Sequence, residues 1–523
     1  MRNSFYTVVS LTLLLSACSE PFEPTPIESI DASAKSWIGK SHIATPINAA
    51  VPKHPFMAPQ GVNSMHSDGY SSDAHPTGGP LGVNTKMNSR VGSVLPGGQC
   101  ATLTFDSNGD LLGLCASIAG FSIHRLRART LELLAEYDLP TRPSSYEAIV
   151  YRDRSRIMHD SSGAYFYLDQ DNRIVMADAD KVVHRIASRE SKDGNWEFYT
   201  DSSWDLSDHV PNDCLRPSNW FPNGECDLIT AVMPDFSGLL WWATRGGRVG
   251  TINQETGEIT AMQLNGEEIQ NGFSVAEDGV YIVSDHAMYG FSADENGEPV
   301  QRWREPYDRG TSHKVGSINQ GSGTTPTLLG SDYVTVTDNA DGRINLLVYK
   351  RLGDSTSMPD RLICKTPVFA DGHSATDNSM VAIGRSIVLE NNAGFSNAMD
   401  QTDWSNAGGG LVRVDIREDE SGCDVVWESA ERSPSVVPKL SLKNGVVYFY
   451  TYERVPMLNP QSDAHEINAW YVIGLDYQTG ETLFKLHTGN GQNYDNNWSP
   501  ITIAPDDTLY VGTTKGIVAI WDE

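Results

Sequence analysis

The sequence predicts an all-β chain folded as a β-propeller of eight blades, with seven the rival count. Three observations predict it. After about Gly97, short apolar or aromatic runs alternate with Gly, Asp and Asn turns, and no long stretch carries helical periodicity. One run recurs in eight versions: "DLLGLCAS" (110–117), "GAYFYLD" (163–169), "GLLWWATR" (238–245), "GVYIVSD" (279–285), "DYVTVTD" (332–338), "RSIVLEN" (385–391), "GVVYFYTY" (445–452) and "TLYVGTT" (508–514). Most copies lie roughly 40 to 60 residues apart, the period of a four-stranded blade.

Each copy opens a common grammar of strand, tight turn, second strand, variable hairpin and outer strand. A blade of four short strands cannot bury both faces alone, so blades pack around an axis. The last copy, "TLYVGTTKGIVAIWDE", ends after its second hairpin strand. Its missing outer strand is expected from the N-terminal side, which would close the ring and remove an open edge.

The N-terminus reads as a targeting segment. Arg2 precedes an apolar stretch from about Phe5 to Leu15, too short to span a bilayer as a helix. Leu15-Ser16-Ala17-Cys18 then resembles the lipobox of bacterial lipoproteins, in which the Cys is lipidated and becomes the mature N-terminus. The resemblance implies a signal peptide over 1–17, lipidation at Cys18 and, with Ser19 following, passage to the outer membrane of a Gram-negative cell. A plain secretory signal is the simpler alternative. Residues 18–60, rich in Pro, Ser and Ala, read as a tether, 61–96 as an N-terminal segment and 97–523 as the propeller. No later segment has some 20 uninterrupted apolar residues, so the lipid would be the sole membrane contact.

The other six cysteines form an even set in an exported chain, which reads as disulfides. Proximity suggests Cys100–Cys115 and Cys214–Cys226, and elimination leaves Cys364–Cys423. None is part of a CxxC and none clusters with His, which argues against zinc. The formal charge of −28 argues against nucleic acid and anionic lipid surfaces. It is compatible with a cationic ligand or divalent ion, and equally with a solubility role.

Two hairpins, "GLDYQTGETLFKL" (474–486) and "GTINQETGEIT" (250–260), resemble the pyrroloquinoline-quinone-type repeat, roughly A-x-D-x-x-T-G-x-x-x-W. Asp476, Thr479, Gly480 and Glu481 fit the first, with Phe484 at the aromatic position; Thr256, Gly257 and Glu258 fit the second. The resemblance implies a quinoprotein-like propeller. It does not imply the cofactor: quinoprotein dehydrogenases carry an adjacent Cys-Cys pair, which this chain lacks.

If the recurring run is the second strand of each blade, its C-terminal ends share one face of the disc with the connections that enter the next blade. That face gathers two similar turns, "VTDNADG" (336–342) and "LENNAG" (389–394), each setting an acid beside an amide. Turn chemistry is the plainer reading, since Asp and Asn readily bond their own backbone. The alternative is a hard divalent ion, calcium by preference, on Asp338, Asn339, Glu390, Asn391, Asn271 and Asp377. Such a set is similar to the central site of calcium-dependent lactonase and arylesterase propellers, which implies an ion polarising an ester carbonyl. His286 or His373 would be the general base.

"MHSDGYSSDAHPTGGPLG" (65–82) stands apart. It reads as an exposed linker or as a segment folded over the funnel, contributing His66 and Asp68. There is no G-x-S-x-G elbow and no H-E-x-x-H. Two functional readings result. One is a lipid-anchored module of the envelope that binds a protein partner or small molecule, as related propeller lipoproteins of the outer-membrane assembly machinery do. The other is the calcium-dependent hydrolase.

Overall fold

The computed structural model describes residues 31–39, 45–90, 97–117, 120–153, 155–158, 160–315, 317–352, 361–396, 407–460 and 465–523. The signal segment 1–17, Cys18 and the first part of the tether lie outside the described residues.

Eight sheets ring a common axis, seven of four strands and one extended to six. We number the blades in chain order and letter their strands A to D from axis to rim. Blade 1 is Gly97–Phe105, Leu111–Ser117, Gly120–Leu126 and Leu133–Asp138. Blade 2 is Tyr167–Leu168, Ile174–Ala177, Val182–Glu190 and Trp196–Asp205. Blades 3, 4, 5 and 6 begin with strands A at Ile229–Pro234, Ser274–Ala276, Thr327–Leu329 and Val381–Ile383. Blade 7 is Lys439–Ser441, Val446–Pro456, Glu466–Asp476 and Thr482–Asn490, and blade 8 starts at Ile501–Ile503. Each four-stranded meander is antiparallel throughout, so period-two side chains face the neighbouring blades and the cores lie between blades.

The ring closes as the sequence predicts. Strand D of blade 8 is Thr85–Arg90, paired antiparallel to Gly516–Asp522. Seven of the eight recurring runs form strand B; in blade 2, "GAYFYLD" instead supplies strand A and strand B is Ile174–Ala177. The aromatic run misled because its side chains alternate between the two neighbouring blades as strand B side chains do elsewhere: Phe166 and Leu168 share a cluster with Leu112 and Ile123 of blade 1, and Tyr167 with Val232 and Trp242 of blade 3. The T-G-E hairpins are C–D turns. Phe484 of strand D lies over Gly474 of strand C, where a Cβ would fall 2.2 Å from the ring. Trp303 covers Gly290 in the same way in blade 4, so the aromatic position of the repeat requires a glycine opposite it.

The three proposed disulfides are present: Cys100–Cys115 across strands A and B of blade 1, Cys214–Cys226 in the insertion before blade 3, and Cys364–Cys423 between the outer strands of blades 5 and 6.

Residues 62–75 are buried without exception. They run around the axis and pair with the inner edges of the blades. The N–H groups of Val275, Leu328, Ala382 and Leu440, each the middle residue of a strand A, donate to the carbonyls of Gly69, Tyr70, Ser72 and Asp73. Asn63 and Val62 accept from Leu168 and the Thr104 hydroxyl in blades 2 and 1, and His75 Nδ1 lies 3.2 Å from Ile503 O in blade 8. An inner strand has no neighbour on its axial side, so its N–H groups must be paired or hydrated. Circling that tightly demands left-handed backbone, which Ser71 and Asp73 adopt at φ 53°. The short, locally bonding side chains of "SDGYSSD" tolerate it. The segment that reads from sequence as an exposed linker or a cover is an axial plug.

Candidate functional site

The plug closes the axis and leaves a cavity above it, on the face that carries the B–C turns and D–A connections. Its volume is about 300 Å³. Met65 and His66 of the plug form part of its lining. The entries to the blades build the wall: Ala164 and Tyr165 before blade 2, Gln270 and Asn271 before blade 4, Asp377 and Asn378 before blade 6, Asn497 and Trp498 before blade 8. Phe121, Arg142, Asp160, Ile318, Val437 and Lys515 are also among the lining residues. Most of the exposed lining surface is apolar, although more than half of the lining residues are polar, a mixture that a small-molecule site can use.

Below the cavity lies a buried polar network. Asp73, fully buried, meets the ammonium of Lys439, which also donates to Met65 O at 3.0 Å. Asp73 Oδ2 lies 3.3 Å from His66 Nδ1, and Ser379 Oγ lies 2.8 Å from the same nitrogen. Burial pushes the Asp73 carboxyl up, but Lys439 and His66 outweigh it and hold it below the ordinary carboxylate range. Ser379, His66 and Asp73 do not form a hydrolytic relay. Ser379 and Asp73 address one imidazole nitrogen, whereas a relay uses both. Thr325 Oγ1 sits 3.3 Å from Nε2, yet the charge of Asp73 that would stabilise an imidazolium is already countered by Lys439. The network's evident work is to fix the cavity floor.

The residues expected as metal ligands are distributed over separate networks. Asp338 accepts from Ala340 N, Asn345 N and Asn345 Nδ2, stapling its own turn. Asn339 Nδ2 donates to Arg309 O and Ser312 O, and Asn391 Nδ2 to His373 O and Gly409 O. Glu390 is 1% exposed and takes Asn378, Asn392 and Ser433 as partners, and burial pushes its carboxyl up to about 8. Only Asn271 and Asp377 of the six line the cavity. Asn271 Nδ2 donates to Gly323 O, and Tyr165 OH donates to Asn271 Oδ1 at 3.1 Å. Asp377 Oδ2 accepts from Ile318 N at 2.8 Å and Gln270 Nε2 at 3.2 Å. Burial raises Asp377 to about 7. Among the described residues no three His, Cys, Asp or Glu side chains gather as a metal ion requires. Six donors divided in this way do not fit one calcium ion, whose carboxylates must converge.

The histidines fall elsewhere too. His286 pairs with Asp285 at 2.8 Å on the B–C turn of blade 4, and His373 is exposed; neither lines the cavity. His66 does line it, while Asp68 caps the plug's own turn, accepting from Tyr70 N and Ser72 N, and burial raises it to about 7. Sequence reasoning missed Trp498, Tyr165, Phe121 and Lys515. The one local hint was the Asn-rich "YDNNWSP", in which both Asn497 and Trp498 adopt positive φ, 47° and 62°.

No family profile matches the chain. It is 21% identical over 327 residues to an uncharacterised protein of Archaeoglobus fulgidus, covering 56% of this chain. The chain spans about 60% of the length of that curated relative. Among solved structures it is similar to streptogramin B lyase, at 10% identity and TM-score 0.35, covering 84% of this chain and 97% of the other. The computationally designed Ika8 protein gives 13% identity and TM-score 0.41, covering 82% and 98%. BamB from Moraxella catarrhalis gives 15% identity and TM-score 0.32, covering 67% and 91%. The chain is a β-propeller.

Proposed function

We propose that this protein is a binding module that takes a small, largely apolar molecule into the cavity above the axial plug. One observation carries the reading: the chain spends its own N-terminal segment to turn an open axial channel into a floored cavity of about 300 Å³. That lies at the lower end of the range for drug-sized ligands, roughly 300 to 1,000 Å³. Backbone strain at Asn497 and Trp498 supports it, because left-handed backbone at bulky residues concentrates at ligand clamps. Thermal-shift screening of apolar compounds on the purified chain and on a Trp498→Ala variant tests the reading. A ligand that stabilises the first and not the second supports it; a hit set unchanged by the substitution sinks it.

The same reading has acyl chains on Cys18 hold the module at the outer membrane; the described part of the expected tether is docked on the ring and is no free spacer, with Trp37–Ile38 paired to the outer strand of blade 7 and Met57 and Ala58 buried. Cys18→Ser, followed by membrane fractionation and fatty-acid labelling, tests that part separately.

A further inference from the structure

The polar groups of the cavity are not evenly spread. At blade 8, Lys515 lines the cavity half-buried. Among the described residues no carboxylate or other acceptor pairs with its ammonium, although acids outnumber bases 67 to 39 in the chain. On the connection that enters the same blade, the indole N–H of Trp498, also a lining residue, is buried without an acceptor. Arg142, the other cation of the lining, donates to Asp160 O, lies 3.6 Å from the carboxylate of Asp160, itself a lining residue, and stacks on Phe121 at 4.3 Å, while its own Nε is buried without an acceptor. Blade 4 faces blade 8 across an eight-bladed ring. There Gln270 Oε1 is a buried oxygen without a donor, and so is Asp377 Oδ1 in blade 6. The free positive charge of Lys515 and the unmet indole N–H of Trp498 therefore belong to blade 8, whereas the unmet lining acceptors, Gln270 Oε1, Asp377 Oδ1 and Asp160 Oδ2, belong to the entries of other blades. Unpaired buried groups of this kind are costly, and a ligand that satisfies them recovers the cost.

We propose that the ligand is an organic anion with an apolar body, its anionic group at Lys515 and Trp498 and its body over Met65, Tyr165 and Phe121. The proposal rests on the cavity being the binding site. The opposite orientation would set the anion against the lone pairs of Gln270 and the carboxyl of Asp377. A cationic ligand, which the net charge of −28 would favour by itself, would meet Lys515.

Fluorescence titration with two probes that share one body tests this: anilinonaphthalene sulfonate and its uncharged parent, phenylnaphthylamine. The sulfonate is expected to bind the intact chain at least tenfold tighter, with the gap narrowing as salt rises. Lys515→Met should close the gap by weakening the sulfonate alone, and Lys515→Arg should keep it. Equal binding of both probes to the intact chain, or a gap that survives Lys515→Met, overturns the anion assignment and leaves the cavity reading standing. If neither probe binds, the cavity reading fails and the anion assignment falls with it. Melting curves of both variants confirm that each is folded.

Discussion

The ammonium of Lys439 meets the carboxylate of Asp73 across 366 positions of sequence, with both side chains at 1% exposure or less. This contact fastens the plug to the first strand of blade 7. Breaking one side of a buried ion pair leaves the other charge uncompensated, at a cost of about 3 to 5 kcal/mol. Lys439→Met and Asp73→Asn should each lower the melting temperature sharply. The double variant should recover much of the loss. Single variants that melt like the parent would show that the pair does not anchor the plug.

Plug and ring should also be inseparable on a larger scale. A chain beginning at residue 97 lacks both the outer strand of blade 8 and the carbonyls that pair the inner strands. It is expected to aggregate through its open edge and unpaired inner strands. A synthetic peptide covering 45–90, added during refolding, should restore soluble, cooperatively melting protein. A soluble, cooperatively melting 97–523 chain without the peptide would refute this.

Five buried carboxyls are displaced upward by burial: Asp338, then Asp68 and Asp377 to about 7, and Glu390 and Asp495 to about 8. Each holds its proton more tightly folded than unfolded. The contribution of Asp68, Asp377, Glu390 and Asp495 is therefore full below the unfolded value near 4 and is lost as pH rises towards 7 to 8. The melting temperature should fall between pH 5 and pH 9, and Glu390→Gln should flatten that fall. An unchanged slope in Glu390→Gln would mean that Glu390 is ionised throughout.

The disulfides should rank by the chain they enclose. Cys364–Cys423 spans 59 residues and Cys214–Cys226 spans 12. Loop-closure entropy gives about 4 kcal/mol for the first and about 3 kcal/mol for the second. Replacing both cysteines by Ala should therefore cost more in the 364–423 pair. Equal or reversed losses in denaturant titrations would point to native-state effects specific to each bridge.

The ring was legible because repetition exposes it: strand runs at a regular period, a last blade one strand short, and cysteines paired by proximity. The site was less legible for a geometric reason. Its lining comes from one or two residues at each of several D–A connections, such as Gln270-Asn271, Asp377-Asn378 and Asn497-Trp498, brought together only by the ring. The acid–amide turns attracted the ligand reading because Asp338 and Glu390 recur at matching places in neighbouring blades. The matching place serves loop closure instead: each carboxyl is consumed by nearby amides and hydroxyls. The plug was ambiguous because its polar side chains bond within the chain and its carbonyls, invisible in sequence, do the pairing.

Trp498 is the residue on which fold and function should separate most clearly. Its φ of 62° costs roughly 1 to 3 kcal/mol for a side chain of this size, and its ring meets Phe395 edge-on at 4.7 Å. Glycine at this position would relieve the strain but give up the ring contact, so the two effects on stability oppose each other. Trp498→Gly should therefore melt within a few degrees of the parent. It should nonetheless lose the indole N–H and the aromatic wall, and with them at least tenfold in affinity for anilinonaphthalene sulfonate. If Trp498→Gly keeps full affinity, the strained turn exists for packing on Phe395 alone. If it collapses in stability instead, the ring is a structural wedge between blades 6 and 8, and the strain is offset by that packing and not by a ligand.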